Sequence, residues 1–189
     1  MKSRIDLYEG DKEKRFIIGA SGSKPLYVIA MNPSVADDKV FDQTVIKLFG
    51  MSYLFGFDGC IMFNLIPIRE PDSNKLIDEL DLTLMNQNIE TIINNIPDNA
   101  TVLATWGDIS ANMPLKKSLN AVYNGLKDKN CKWKCVSYTD RKVGDNFDNY
   151  NTIGLTNSGH PRHVSRLLQT TFFEDFDIDS YIAKFIHSL

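Results

Sequence analysis

The stretch Leu26-Tyr27-Val28-Ile29-Ala30-Met31-Asn32-Pro33-Ser34 decides the fold. In it a run of apolar residues stops abruptly at a polar Asn-Pro-Ser loop. Apolar runs without polar alternation are typical of strands buried on both faces, as in a parallel sheet. The stretch therefore predicts a central strand with a polar loop at its carboxyl end.

The same pattern recurs along the chain. Residues 60–63 end at Asn64, and residues 102–105 end at Trp106-Gly107. Further strands are predicted at 133–138 and 152–155, and two short strands flank the polar turn at 10–13. Apolar residues at helical spacing predict helices at 43–55, 76–96, 116–127 and 179–189.

Alternating strands and helices indicate an α/β sandwich with right-handed crossovers. Hydrophobic residues make up 43% and charged residues 24% of the chain, which is the balance of a globular protein. No linker, repeat or low-complexity tract interrupts residues 1–189, so we expect a single α/β domain.

Composition also bounds the location and partners. Because no apolar run could span a bilayer and the first residues lack a signal peptide, we expect a cytoplasmic protein with no membrane contact. We also expect a monomer. Cys131 and Cys135 lack a second ligand pair, so neither a metal nor another cofactor is expected. The formal net charge of −3 counts against a partner bound through DNA phosphates alone.

The polar residues that follow the strands are the candidate site, because ligands bind at the carboxyl ends of strands in such sheets. Asn32 could orient a water, or it could only form a turn. The Asn64 amide suits recognition of a base edge, or it satisfies nearby backbone. Asp42 is placed to cap the helix that begins near Gln43, and Asp37 or Asp38 could act as a base.

Basic residues supply the remaining candidates. Arg69 could bind a phosphate or pair with a neighbouring carboxylate. The Gly159-His160-Pro161-Arg162-His163 segment holds two of the three histidines. His160 and His163 can donate hydrogen bonds near neutral pH, and Arg162 and Arg166 can meet phosphate. His187 is interpreted as structural or merely exposed.

Taken together, these motifs resemble the uracil-DNA glycosylase superfamily, and more closely a smaller, uncharacterised bacterial and phage family. The motifs of that smaller family are matched, in order, by Asn32-Pro33-Ser34, Asp42-Gln43-Thr44, Asn64-Leu65, Trp106-Gly107 and Pro161-Arg162-His163. The wider resemblance implies a three-layer α/β/α sandwich with a central, mainly parallel four-stranded sheet. It also implies a metal-free DNA glycosylase.

The resemblance implies roles for individual residues. Asn32 would position the attacking water, with Asp42 in the same catalytic loop, and His160 would meet the leaving base. The base-binding residues would be Asn64, Ser34, Phe41 and Met31, with Phe41 as the stacking platform for a flipped nucleotide. Contacts to DNA phosphates and the wedge into the stack would come from Arg162, His163, Arg166, Val164 and Arg69.

Two departures from the family pattern matter. Many uracil-specific members carry a bulky tyrosine where this chain has Ser34, so we hypothesise a C5-substituted pyrimidine, as in modified phage DNA. His163-Val164 stands where the family usually has His-Pro. The base and the biological role, repair or anti-phage defence, stay open.

Two other functions remain open. The first is a non-catalytic protein that binds a base, a nucleotide or DNA, because Asn32 is a poorer base than a carboxylate. The second is a glycosidase of free nucleosides or nucleotides, which would need no wedge and no phosphate contacts. Serine hydrolase, nucleoside triphosphatase and dehydrogenase functions lack their motifs.

Overall fold

The computed structural model describes residues 5–34, 36–37, 41–69, 81–109, 111–139, 152–164 and 171–186. Three candidates named above, Asp38, Arg166 and His187, lie outside the described residues, as does the predicted helical stretch 76–80.

Eight strands and four α-helices form within these ranges. The strands are β1 Leu7–Gly10, β2 Arg15–Ala20, β3 Pro25–Ala30, β4 Gly59–Asn64, β5 Thr101–Thr105, β6 Lys132–Thr139, β7 Thr152–Ile153 and β8 Thr171–Asp175. The helices are α1 Gln43–Leu54, α2 Leu82–Asn95, α3 Met113–Leu126 and α4 Ile178–Phe185.

All eight strands join a single mixed sheet of order β1-β2-β4-β3-β5-β6-β7, with β8 also paired to β6. The four strands β4, β3, β5 and β6 are mutually parallel, whereas β1, β2, β7 and β8 pair antiparallel. The parallel centre is confirmed, but the described sheet is wider than four strands. Sequence analysis did not predict β8, because its half-buried residues form no continuous apolar run.

The sheet residues divide by alternation between two buried clusters. Ile29, Phe63 and Val102 pack with buried residues of α2, α3 and α4. Val28, Met62 and Leu103 pack with buried residues of α1. Because side chains alternate along a strand, Asn64 falls on the same face as Met62, the face that α1 covers.

Every described α-helix begins at a side chain that accepts a hydrogen bond from its first turn, which satisfies otherwise orphaned N–H groups. The caps are Asp42, Asp81, Asn112 and Asp177. The predicted capping role of Asp42 is confirmed. The Asn112 cap and the proline beside it explain why α3 begins before residue 116.

In the part of the chain that the structure describes, no helix is long and apolar enough to cross a bilayer. The same residues contain no group of three or more His, Cys, Asp or Glu side chains able to hold a metal ion.

Two glycine substitutions test the tight β2–β4 pairing. A Cβ on Gly19 would lie 2.6 Å from the carbonyl oxygen of Cys60, whereas one on Gly50 in α1 meets nothing within 4 Å. We expect Gly19→Ala to lower the free energy of unfolding by about 1–3 kcal/mol through backbone overpacking. Gly50→Ala should raise it by up to about 1 kcal/mol through helix propensity. Urea denaturation measures both, and equal effects would contradict the pairing.

Candidate functional site

The site is organised where β3, β4 and β5 end. Ala30 pairs with Asn64 on one side and with Thr105 on the other, so the three strands finish level. Beyond the sheet, Leu65 N–H donates to the Ala30 carbonyl at 2.9 Å and Ile66 N–H to the Met31 carbonyl at 3.0 Å. The backbone that enters the Asn-Pro-Ser loop is thereby held against the backbone that follows Asn64.

Asn64 is the central feature of this edge. Its side chain is fully buried, and neither Oδ1 nor Nδ2 has a hydrogen-bond partner among the described residues. An unsatisfied buried donor or acceptor costs about 1–3 kcal/mol, so such a group needs an explanation. A ligand that offers a matching acceptor and donor would satisfy both atoms at once.

Two buried polar side chains fix the backbone beneath this amide. Asn88 Nδ2 donates to the carbonyls of Asn64 and Leu65, at 2.9 and 3.3 Å, and Ser118 Oγ donates to the Leu65 carbonyl at 2.5 Å. Neither residue is apparent from the sequence pattern alone. The available signal was Asn88 itself, a polar residue on the buried face that α2 forms with Met85 and Ile92.

The Gly159–His163 segment attaches to the end of β5. Gly107 N–H donates to the Pro161 carbonyl at 3.0 Å, and Thr105 Oγ1 donates to the Arg162 carbonyl at 2.9 Å. The Val164 N–H donates in turn to Thr105 Oγ1 at 3.1 Å. These bonds bring the late segment to the edge where the Asn-Pro-Ser loop begins.

Met31 and His163 both lie next to Gly107. Gly107 has a φ of +74°, a conformation that side chains with a Cβ rarely adopt. The position of a Cβ there lies 3.8 Å from both Met31 Cε and His163 Cβ. Of the two candidate histidines, His163 is therefore the one that these contacts bring beside the start of the Asn-Pro-Ser loop.

His160 instead belongs to an aromatic cluster. Only 1% of it is exposed, and its Nδ1 lies 2.7 Å from the hydroxyl of Tyr181. Trp106 Nε1 donates to the same hydroxyl at 3.2 Å, and the Phe185 ring centroid lies 4.6 Å from that of His160. In the sequence, Tyr181 is marked only by its place among the apolar positions of the last helix.

The other ring nitrogen of His160 faces a carboxylate. Nε2 lies 3.2 Å from Asp108 Oδ1, within ion-pair distance but without hydrogen-bond alignment. Burial lowers the pKa of His160, and the nearby Asp108 carboxylate opposes that shift in pKa. A neutral imidazole at neutral pH follows. The predicted role of His160 at a leaving base stays a prediction.

The loop residues make contacts within their own segment. Asn32 Nδ2 donates to the Pro33 carbonyl at 3.4 Å, and Asp42 Oδ1 accepts from the Val45 N–H at 2.8 Å. Phe41 is 41% exposed and stacks on Phe49 with ring centroids 6.4 Å apart. The proposed catalytic roles of Asn32 and Asp42 and the platform role of Phe41 stay predictions.

Two of the predicted DNA contacts, Val164 and Arg162, already make contacts within the fold. Val164 is fully buried, so it would have to leave the core before it could act as a wedge. Arg162 Nη2 donates to the Leu155 carbonyl at 2.9 Å, and its guanidinium lies over the Tyr138 ring at 5.1 Å. A role for Arg162 at a phosphate therefore requires its remaining N–H groups.

Two arginines donate hydrogen bonds to the backbone of the Asn-Pro-Ser loop and of Ala36, two residues after Ser34. Arg69 Nη1 donates to the Ser34 carbonyl at 3.0 Å, and its Nη2 donates to the Tyr8 hydroxyl at 2.7 Å. Arg15, which sequence analysis missed, is 1% exposed and donates through Nη1 to the Ala36 carbonyl at 2.9 Å. Burial lowers the pKa of Arg15 to about 10, so it stays protonated at neutral pH.

Comparison with known proteins yields a family match over most of the chain. Residues 15–163 match the model of a family described as "Protein of unknown function (DUF1643)". The match runs from β2 to the end of the Gly159–His163 segment, so it includes the whole edge described above. No curated protein and no solved structure matches the chain significantly.

A pair of tyrosine substitutions tests the aromatic network. Tyr181→Phe removes a buried hydroxyl that Trp106 and His160 both contact, so we expect a loss of about 1–3 kcal/mol in the free energy of unfolding. The control is Tyr123→Phe, whose hydroxyl meets Asp179 on the surface, with an expected change within about 0.5 kcal/mol. Denaturant unfolding compares them, and equal losses would rule out a structural role for the network.

The lowered pKa of His160 predicts a pH dependence of stability. Above its ordinary pKa of 6.5, His160 is neutral in both states and its contribution is complete. As the pH falls below that value, the unfolded chain binds the proton first, so the free energy of unfolding decreases. His160→Gln should flatten this decrease between about pH 7 and pH 5 while matching the wild-type slope above that range. Parallel slopes throughout would contradict the assignment.

Proposed function

Since the chain belongs to the DUF1643 family, whose description names no function, we propose from its site that it is a monofunctional DNA glycosylase. Its substrate is a C5-substituted pyrimidine in DNA. The observation that carries the proposal is the Asn64 amide at the end of a central parallel strand. It is fully buried, and neither its donor nor its acceptor has a partner among the residues that the structure describes.

The amide fits one edge of a pyrimidine. Nδ2 can donate to a ring carbonyl oxygen while Oδ1 accepts from the adjacent ring N–H. A base inside a duplex does not expose this edge to a buried side chain, so the nucleotide must be flipped out of the stack. The end of a strand holds the amide in a fixed position, because the side chains of Asn88 and Ser118 donate hydrogen bonds to the backbone carbonyls beneath it.

The proposed architecture is a three-layer α/β/α sandwich like that of the uracil-DNA glycosylases. The parallel order β4-β3-β5-β6 supports this proposal, as do the core clusters on the two faces of the sheet. Ser34 lies in the loop that would border the base, and its small side chain leaves room for a substituent at C5.

Hydrolysis requires water to add at C1′ of the sugar while the bond to the base nitrogen breaks, and the proton that the water loses ends on the departing base. Asn32 would orient the water, and a hydrogen-bond donor would stabilise the negative charge that develops on the departing base. We assign the donor to His163 in place of His160, because His163 lies beside Met31 and Gly107. His160, held by Tyr181 and near Asp108, would brace the segment.

A non-catalytic binding protein is the second candidate. The observation that favours it is that Asn32 donates within its own loop and Asp42 caps a helix, so neither is dedicated to a water. Such a protein would use Asn64 in the same way and leave the glycosidic bond intact.

A base-release assay tests the proposal. DNAs carrying uracil, thymine or modified cytosines are incubated with the wild type, and abasic sites are counted after alkaline cleavage. We expect release of a C5-substituted pyrimidine, reduced at least about 100-fold in Asn64→Ala, which removes both hydrogen bonds to the base.

The matched control is Asn95→Ala, which changes an exposed asparagine on α2 and should retain full activity. Urea unfolding verifies that both variants are folded. Release of uracil alone would contradict the C5-substituted substrate. A folded wild type that releases no base would overturn the glycosylase proposal in favour of the binding protein.

A further inference from the structure

Arg15 and Arg69 approach the Asn-Pro-Ser loop together. Arg15 donates to the Ala36 carbonyl and Arg69 to the Ser34 carbonyl, at positions two residues apart. In both guanidinium groups the Nε atom is buried and has no hydrogen-bond partner among the described residues. Among the residues that the structure describes, no carboxylate lies within ion-pair distance of either arginine.

The open edge of Arg15 is the side formed by Nε and Nη2. Nη1 donates to the Ala36 carbonyl. Among the described residues, Nη2 meets only the Met62 sulfur, at 4.0 Å, and a thioether sulfur is a weak acceptor. Nε and Nη2 point the same way and together accommodate two oxygens of a carboxylate or phosphate. The fold therefore leaves free the edge that binds an oxyanion in bidentate fashion.

Burial makes this open edge energetically significant. Arg15 is 1% exposed, and a charge removed from water without a partner is strongly unfavourable. The Asp42 carboxylate acts on Arg15 only from beyond ion-pair distance, and Arg69 adds repulsion. An anion between the two arginines would offset both effects.

The open edge of Arg15 lies on the same side of the sheet as the Asn64 amide. Arg15 contacts Met62, which precedes Asn64 by two residues on β4, so Met62 and Asn64 share the face covered by α1. The unsatisfied atoms of Arg15 and Asn64 therefore lie on the same side of the sheet, close to the same loop.

We propose that Arg15, assisted by Arg69, binds an oxyanion carried by the ligand that Asn64 holds. The inference rests on the proposed function only for the identity of that ligand. An acidic substituent on the base satisfies the burial of Arg15 better than a phosphate, because phosphates of a bound DNA strand stay at the protein surface. The substrate is then a pyrimidine with a carboxylate at C5.

A purely structural role for Arg15 makes a different prediction. If its guanidinium only clamps the loop through the Ala36 carbonyl, substitution would lower stability without changing the preference for an anion. The decisive quantity is therefore the ratio of affinities for ligands that differ only in the anion.

Calorimetric titration of the full chain, without DNA and at constant ionic strength, measures that ratio. The probes are 5-carboxyuracil against uracil, and 2′-deoxyuridine 5′-monophosphate against 2′-deoxyuridine. We expect the wild type to bind 5-carboxyuracil at least about tenfold more tightly than uracil, a preference that Arg15→Lys removes because lysine lacks the bidentate edge. Arg69→Gln should weaken the same preference.

The matched control is Lys134→Gln, which removes a cation that already has a carboxylate partner, Asp175, at 2.6 Å. It should keep the wild-type preference. A preference for the monophosphate alone would keep the oxyanion site and overturn its assignment to the base. No preference in the wild type, or an unchanged preference in both arginine variants, would overturn the site itself.

These outcomes are independent of base release. Anion-dependent binding without release from any DNA would overturn the glycosylase and leave the oxyanion site standing. If the protein released neutral pyrimidines but showed no preference for an anion, the oxyanion site would be overturned and the glycosylase proposal would stand.

Discussion

Ala30 of β3 pairs with Asn64 of β4 and with Thr105 of β5, and this shared register is the constraint on which the site depends. It makes three parallel strands end level, so that the loops following them start at one edge. Thr105 then receives the late segment through its hydroxyl, and the backbone after Asn64 is tied to Ala30 and Met31. A shift of one residue in β3 would turn its side chains to the opposite face and separate these groups.

Several buried polar atoms near this edge have no hydrogen-bond partner among the described residues. Among the described residues, the buried side-chain atoms without a partner include Oδ1 and Nδ2 of Asn64 and Nε of both Arg15 and Arg69. Groups of this kind reduce stability unless something binds them, and proteins retain them mainly where function requires it. An unsatisfied amide and a buried cation on the same side of the sheet favour a polar ligand with an acidic group over an apolar one.

The two histidines of the late segment show how short a distance along the chain separates different environments. His160 is enclosed by Tyr181 and Phe185, which belong to α4, whereas His163 comes to Gly107 beside Met31. The segment between them is fixed by its backbone bonds to the end of β5. Contacts with β5 and α4 therefore decide that His163, and not His160, lies near the strand ends of the site. The spacing of the two histidines in the motif does not predict this outcome.

The residues alone indicated the α/β class, the Asp42 cap and the position of Asn64 at a strand end, because these depend on local apolar runs and capping preferences. The four-stranded parallel centre was expected only from the family resemblance. Only the tertiary structure decided the edge strand β8, the burial of Val164, and the convergence of Arg15 with the Asn-Pro-Ser loop. Each of these results from contacts between residues far apart in the chain. Local propensity does not encode such contacts, since they form only when the sheet brings their partners together.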